Sequence, residues 1–361
     1  MVKFRVVSPA PRAVWSSVVA CDPDAMPSQT PEWMDAVTER SPWRDASRLY
    51  ITEAGRRIVF PMTRAGGRGQ FGALVSPRRG WGYGGVVADG GVRPCDLTLV
   101  SEDFAHIPEV RFRVRPNPLQ SEMWERFLPQ TARVRKSSHV VDLCGGANAV
   151  FDRFHRSAKK GIATAEKNDV RVETVVGVAL LPVFFELARK SRRYWAERQH
   201  EPVWLAQTRG RFRDSEAKWQ RTARCLGPEF EVTVAWHDHR PAAAAIVVNG
   251  PNAHGMRLAM DPELRHLGAP HFLNWAVLQN ACVGGARWFF MGESATLGAA
   301  RFKEFLGARC YEYDEIDFER VPISRLNRVL RAAVKRAVGF KEHDSAAATM
   351  PTRPKHADAG K

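Results

Sequence analysis

Apolar positions alternate with polar ones in some stretches and recur at helical spacing in others, and the two patterns follow one another twice along the chain. Phe4 to Val7 reads as a strand and Val14 to Ala20 as a short helix. Ser28 to Arg40 reads as a second helix, with Pro31 suited to its first turn and Trp33, Ala36 and Val37 at helical spacing. The runs Arg48 to Thr52 and Arg57 to Thr63 flank Glu53-Ala54-Gly55-Arg56, which predicts a hairpin. Strands are expected at Glu109 to Val114 and Ser138 to Leu143, with a short helix at Ser121 to Leu128 between them. Gly145 and Gly146 then mark a boundary.

The second round opens with Ala149 to Asp169, an amphipathic helix with Phe151, Phe154, Ala158 and Ile162 on one face and Arg153, Arg156, Lys159 and Lys160 on the other. A strand at Val170 to Val175, helices at Leu181 to Arg198 and Arg213 to Cys225, and strands at Glu231 to Trp236 and Ala242 to Asn249 follow. A strand at Ala253 to Met260, a helix at Pro270 to Val283 and a strand at Ala286 to Met291 form a crossover that makes the two strands parallel neighbours. A helix at Leu297 to Leu306 and a strand at Tyr311 to Phe318 close the half. The expected fold is α+β with a mixed sheet, in two domains covering residues 1–147 and 148–320. Residues 321–340 read as a basic amphipathic helix, and residues 341–361 as a disordered tail.

Composition adds a partner class. The net charge of +15 raises the local concentration of polyanions, so RNA, nucleotide-linked substrates and anionic lipid headgroups all fit, while an arginine-rich solvated surface accounts for the same count. No apolar run reaches the roughly 18 to 20 residues a membrane helix needs, and no signal-peptide pattern is visible, which predicts a cytoplasmic protein with at most peripheral membrane contact. Cys21, Cys95, Cys144, Cys225, Cys282 and Cys310 are widely spaced and read as buried small hydrophobes. His237 and His239 in a polar turn lack a third ligand nearby, so no metal site is expected. Gly80, Gly82 and Gly85 satisfy GxGxxG, but Val86-Val87-Ala88-Asp89-Gly90-Gly91 cannot open the helix a dinucleotide site needs, leaving a mobile glycine loop beside a binding cleft.

Two segments carry candidate chemistry. The loop from Asp261 to Pro270 follows a strand and opens a helix, an arrangement that suits a pyrophosphate. Arg265, Gly268 and Ala269 are its candidate donor-binding residues, and its pattern is similar to the acyl-CoA loop of GNAT enzymes, from which Pro270 departs. In the second segment, Ser294 or Thr296 can cap a helix that ends at Gly307, which places Lys303 inside it.

The run Arg301-Phe302-Lys303-Glu304-Phe305-Leu306-Gly307-Ala308 resembles the FK-x-x-[FL]-G-[AC] signature of FemABX and related GNAT-like acyltransferases. Gln29-Thr30-Pro31-Glu32-Trp33 is similar to their entry helix, Gly82-Tyr83-Gly84-Gly85 to their glycine-tyrosine loop, and Arg153 to Val172 to the opening of their second half. Thr38 and Phe290 depart from the family pattern, standing about where peptidoglycan members have a basic residue and many relatives an aspartate.

The resemblance implies tandem GNAT-like domains with an interdomain cleft and an N-acyltransferase of cell-wall or specialised-metabolite assembly. Lys303 would steady the carbonyl oxygen as it turns negative, beside Phe302, with Glu293 as a candidate base. Trp33, Tyr83, Arg153 and Arg156 would line the acceptor cleft. The co-substrate is expected to be an aminoacyl-tRNA or an acyl-CoA, with no tightly bound cofactor and an amine-bearing small molecule or peptide as acceptor. A non-catalytic RNA- or membrane-surface-binding protein of the same fold is the competing class.

Overall fold

The computed structural model describes residues 3–65, 72–107, 109, 111–124, 127 and 132–319. The expected helix at 321–340 and tail at 341–361 lie outside these residues. Among the described residues, an eleven-stranded mixed sheet runs through the whole molecule. Its spatial order is Arg171–Val176, Phe230–His237, Arg240–Val248, Ala253–Met260, Trp288–Gly292, Ala132–Asp142, Arg309–Glu319, Arg111–Val114, Ala73–Ser76, Thr63–Ala65 and Arg44–Asp45. A four-stranded sheet of Phe4–Val7, Arg48–Thr52, Arg57–Phe60 and Val87–Ala88 packs the start of the chain.

Two neighbouring pairs in the large sheet are parallel, Ala73–Ser76 with Arg111–Val114 and Ala253–Met260 with Trp288–Gly292. Parallel neighbours need a crossover, and each pair has a helix in its connection, Pro94–Ala105 and Ala269–Val283 respectively. The halves thus repeat one theme and then exchange their last strands. Ala132–Asp142 from the first half pairs with Trp288–Gly292, while Arg309–Glu319 from the second pairs with Arg111–Val114, and the two exchanged strands pair with each other. Their side chains follow: Val141 and Leu143 are buried in the core of the second half, and Ile316 in that of the first.

Local chemistry explains most element ends. Thr30 Oγ1 accepts a hydrogen bond from the Trp33 amide and Pro31 fills the first turn, so the helix covers Pro31–Thr38 rather than starting at Ser28, and Pro27–Gln29 forms a separate 3₁₀ turn. Ser215 caps Glu216–Leu226 in the same way, and a further helix, Val203–Arg213, precedes it where none was expected. The cysteines depart from expectation: Cys21, Cys95 and Cys144 are exposed, and Cys225, Cys282 and Cys310 only partly covered. Cys225 and Cys282 only edge the core clusters they pack against.

The glycine-rich loop is packed in the interior, with Trp81 and Tyr83 buried. A side chain on Gly84 would meet the Ser76 backbone at 2.6 Å, so this glycine permits close approach of two backbones. Three charged groups lock the loop to the second half. Lys218 Nζ donates to the Gly80 carbonyl at 2.7 Å and to Asp214 Oδ1 at 3.3 Å, and Arg257 donates to the same carboxylate oxygen at 2.6 Å. No helix among the described residues is long and apolar enough to cross a membrane.

Candidate active site

Strand Ala253–Met260 pairs with Trp288–Gly292 only at Ala253 with Phe289 and His254 with Phe290. Just beyond, each strand carries one extra residue against its other neighbour, Met256 opposite Arg240–Val248 and Met291 opposite Ala132–Asp142. A bulge bends its strand, and with one on each strand at this level the parallel ladder ends, leaving a notch in the pairing. His254 and Gly292 lie at its apex, where a methyl on Gly292 would sit 3.9 Å from His254 Nε2.

Helix Leu297–Phe305, capped by Thr296 Oγ1 on the Ala299 amide, carries Lys303 to this point. Its Nζ donates to the carbonyl oxygens of Gly292 at 2.9 Å and Glu293 at 2.7 Å. An ammonium has three donors, so one remains for a substrate oxygen. Burial lowers the Lys303 pKa to about 8, with Glu293 pulling the other way.

Beside the notch lies a polar cluster built from both halves, buried at Tyr313 and Tyr83 and reaching solvent at Glu293. Tyr313 donates from its hydroxyl to Glu293 Oε1 at 2.6 Å and accepts from Arg115 Nε at 3.0 Å. Arg115 pairs with the same Glu293 oxygen and lies 4.7 Å from the centre of the Tyr83 ring. Tyr83 in turn donates to Ser138 Oγ at 2.8 Å and sits 5.6 Å from the His254 ring. Burial pushes His254 down to about 3, with Arg257 and then Arg115 adding to it, so this imidazole is neutral at physiological pH. His139, 1% exposed on the exchanged strand Ala132–Asp142, lies 3.3 Å from Ser294 Oγ through Nδ1.

Among the residues singled out in the sequence, the structure brings together Lys303, Glu293 and Tyr83. Phe302 is half-buried on the same helix, its ring 4.9 Å from that of His271, and anchors the helix to the second core. Trp33 was expected in an acceptor cleft, but it is 2% exposed, its indole N–H donates to the Trp81 carbonyl at 3.1 Å, and it packs with Trp219 and Phe230. Its place is the hydrophobic seam between the halves. Arg153 and Arg156 are exposed elsewhere, at the start of the Arg156–Lys167 helix, where Arg153 donates to the Asp142 carbonyl.

The turn holding Arg265, Gly268 and Ala269 is closed against that same helix. Gly268 has φ +76°, and a Cβ there would lie 2.1 Å from the Gly161 carbonyl oxygen; Ala269 and Pro270 are buried, and Arg265 donates to Tyr194 Oη at 2.9 Å. Gly268→Ala is therefore expected to lower the unfolding midpoint in a thermal melt, with the left-handed conformation alone costing roughly 1–3 kcal/mol. An unchanged midpoint would contradict this packing.

Arg115, Ser138, His139 and His254 were missed in the sequence, and Ser294 was read there only as a possible helix cap, a place Thr296 takes. The available signal was polarity in strands destined for the interior, as in Ser137-Ser138-His139 ahead of Val140-Val141 and in His254 beside Ala253.

Residues 152–304 match the family model of the acetyltransferase (GNAT) domain. Residues 152–304 thus form a GNAT-type acyltransferase domain, and the chain as a whole shares its fold with FemX. The crystal structure of FemX superposes with a TM-score of 0.62 over 92% of this chain and 100% of that one, at 12% identity. A tandem GNAT protein from the clavulanic acid biosynthesis pathway gives 0.46 over 89% and 99%, at 14% identity. The C-terminal domain of a putative lysylphosphatidylglycerol synthetase from Agrobacterium fabrum gives 0.48 over 90% and 96%, at 13% identity. At such identities the FemX likeness is one of fold. No curated protein matches the sequence.

Proposed function

We propose that this acyltransferase joins an activated acyl group to an amine, with an aminoacyl ester of tRNA as the favoured donor. The observation that carries the reading is the notch, whose apex holds the Lys303 ammonium with one donor to spare. An acyl group laid between the diverging strands would pair with their free backbone groups, as an added strand does at a sheet edge. Its carbonyl oxygen would then meet Lys303, which steadies the negative charge that forms when the amine attacks. Glu293 takes both of its bonds on Oε1 and is exposed, so the carboxylate is available to draw in the acceptor's ammonium group. Domains 1–147 and 148–320 would act as one unit, since Arg115, Ser138 and His139 come from the first and Lys303 and Glu293 from the second.

Three features support tRNA over acyl-CoA. The turn of Arg265, Gly268 and Ala269 is packed under helix Arg156–Lys167, which leaves a pyrophosphate little of its backbone. On helix Val203–Arg213, Trp204 and Phe212 are 68% and 88% exposed, two turns apart with Arg211 between, and aromatic and guanidinium groups together suit single-stranded nucleic acid. The +15 charge acts in the same sense. Incubating the purified protein with an amine panel and either labelled aminoacyl-tRNA or acetyl-CoA tests the donor. Product from aminoacyl-tRNA that disappears after RNase treatment is expected; transfer from acetyl-CoA alone would overturn the tRNA assignment.

A further inference from the structure

We propose that Ser294, His139 and Glu304 form a proton relay that takes the proton from the attacking amine and returns it to the leaving group. The relay rests on the amide-forming reading above and supplies a base for it. His139 Nδ1 faces Ser294 Oγ at 3.3 Å, and Nε2 faces Glu304 Oε1 at 3.7 Å. The imidazole is buried, and its Nε2 has no hydrogen-bond partner among the described residues. A buried ring nitrogen in this state calls for a function or a ligand, and here the nearest ionisable oxygen is that of Glu304.

The placement is as informative as the distances. Ser294 directly follows Glu293, whose carbonyl holds Lys303, and Glu304 directly follows Lys303 on its helix. The relay and the ammonium are thus carried side by side on the same two segments, the relay bridged by a histidine from the exchanged strand. For the Ser294 hydroxyl to donate to Nδ1, the proton of a neutral ring must sit on Nε2, toward Glu304. The groups facing His139 are Lys303 and Glu304 from the helix, the Gly292 backbone on the neighbouring strand, and Cys310, opposite it in register on Arg309–Glu319. Burial, reinforced by the Lys303 charge, holds this imidazole below its ordinary pKa, so it stands unprotonated and ready to act as a base. Catalytic hydrogen bonds are often long without substrate and shorten in the reacting complex.

The step balances. A neutral amine attacks the acyl carbon, the C–N bond forms, and an N–H proton passes to Ser294 Oγ as the hydroxyl proton passes to His139 Nδ1. The imidazolium, facing Glu304, returns its proton through Ser294 to the departing oxygen or sulfur as the C–O or C–S bond breaks.

Two measurements on the full chain test this. In protein labelled with ¹⁵N-histidine, with His139→Gln used for assignment, NMR should find His139 neutral at pH 7 with the proton on Nε2, and Ser294→Ala should shift Nδ1. A proton on Nδ1 would overturn the relay. In single-turnover transfer from labelled aminoacyl-tRNA and, in parallel, acetyl-CoA, Ser294→Ala and His139→Gln should each slow the chemical step about 10²- to 10⁴-fold. Donor affinity should stay nearly constant, Ser294→Thr should keep most of the rate, and His139→Gln should lose the acid-side fall in rate expected of the wild type below the ordinary imidazole range. Wild-type transfer with an undiminished Ser294→Ala would overturn the relay alone. Wild-type protein inactive with both donors would overturn the transfer reading, and the relay with it.

Discussion

Replacing Lys303 with alanine is expected to lower kcat about 10²- to 10³-fold while leaving the donor KM within a small factor, the pattern of a group whose contact strengthens only in the transition state. The fold should survive, because the Lys303 hydrogen bonds go to carbonyls at a partly exposed strand end, Gly292, and in the exposed residue after it, Glu293, where water can replace the ammonium. Far-ultraviolet circular dichroism and the melting temperature check that point. The pH dependence gives a second handle. Stabilising an oxyanion requires the charged form, so kcat should fall as pH rises through about 8, where burial has brought this lysine. Lys303→Arg keeps a cation that does not titrate in this range, so its rate, though lower from altered geometry, should lack that alkaline fall. An alanine variant as fast as the wild type would remove Lys303 from the chemistry.

Asp214→Ala should be the most destabilising single change in the seam between the halves, costing about 3–5 kcal/mol. It removes the carboxylate that Lys218 and Arg257 share, leaving two cations packed against Trp219 and Trp81 with the backbone carbonyls of Gly80, Arg213 and Met256 but no carboxylate between them. Burial alone would raise the Asp214 carboxyl, but Arg257 and then Lys218 pull it well below the usual carboxylate range. A depressed carboxylate contributes stability above its unfolded-state pKa and loses it as pH falls below roughly 4. Urea melts at pH 7 and pH 3 measure both effects. In a Lys218→Met background the same substitution should cost clearly less, because part of the unpaired charge is already gone. A loss under about 0.5 kcal/mol at pH 7, the range of an ordinary surface change, would show that the seam does not depend on this ion cluster.

Local signals in the sequence reached as far as local chemistry reaches. The hairpin around Gly55 and the helix carrying Lys303 are where turn residues, caps and spacing put them, and the helix Pro31–Thr38 lies within the expected Ser28 to Arg40. Trp33 was legible as part of a helix, yet not as a seam residue, because an aromatic at helical spacing looks alike against a cleft and against a core. Strand order was not legible at all: nothing near Ala132–Asp142 says that it will lie between two strands more than 140 residues away. Since that exchange delivers Ser138 and His139 to the notch, the half of the site from the first round of elements stayed hidden, while Lys303 and Glu293, which share one short strand-loop-helix segment, did not. Arg115 was obscured in the same way, as one arginine among many until the last strand brings Tyr313 beside it.

A structure of the protein with a non-hydrolysable donor analogue, an aminoacyl amide on the 3′ end of a short RNA, tests the central claim most directly. The acyl group is expected between strands Ala253–Met260 and Trp288–Gly292, with its carbonyl oxygen accepting a hydrogen bond from Lys303 Nζ. An analogue seated with its carbonyl away from that ammonium would contradict it.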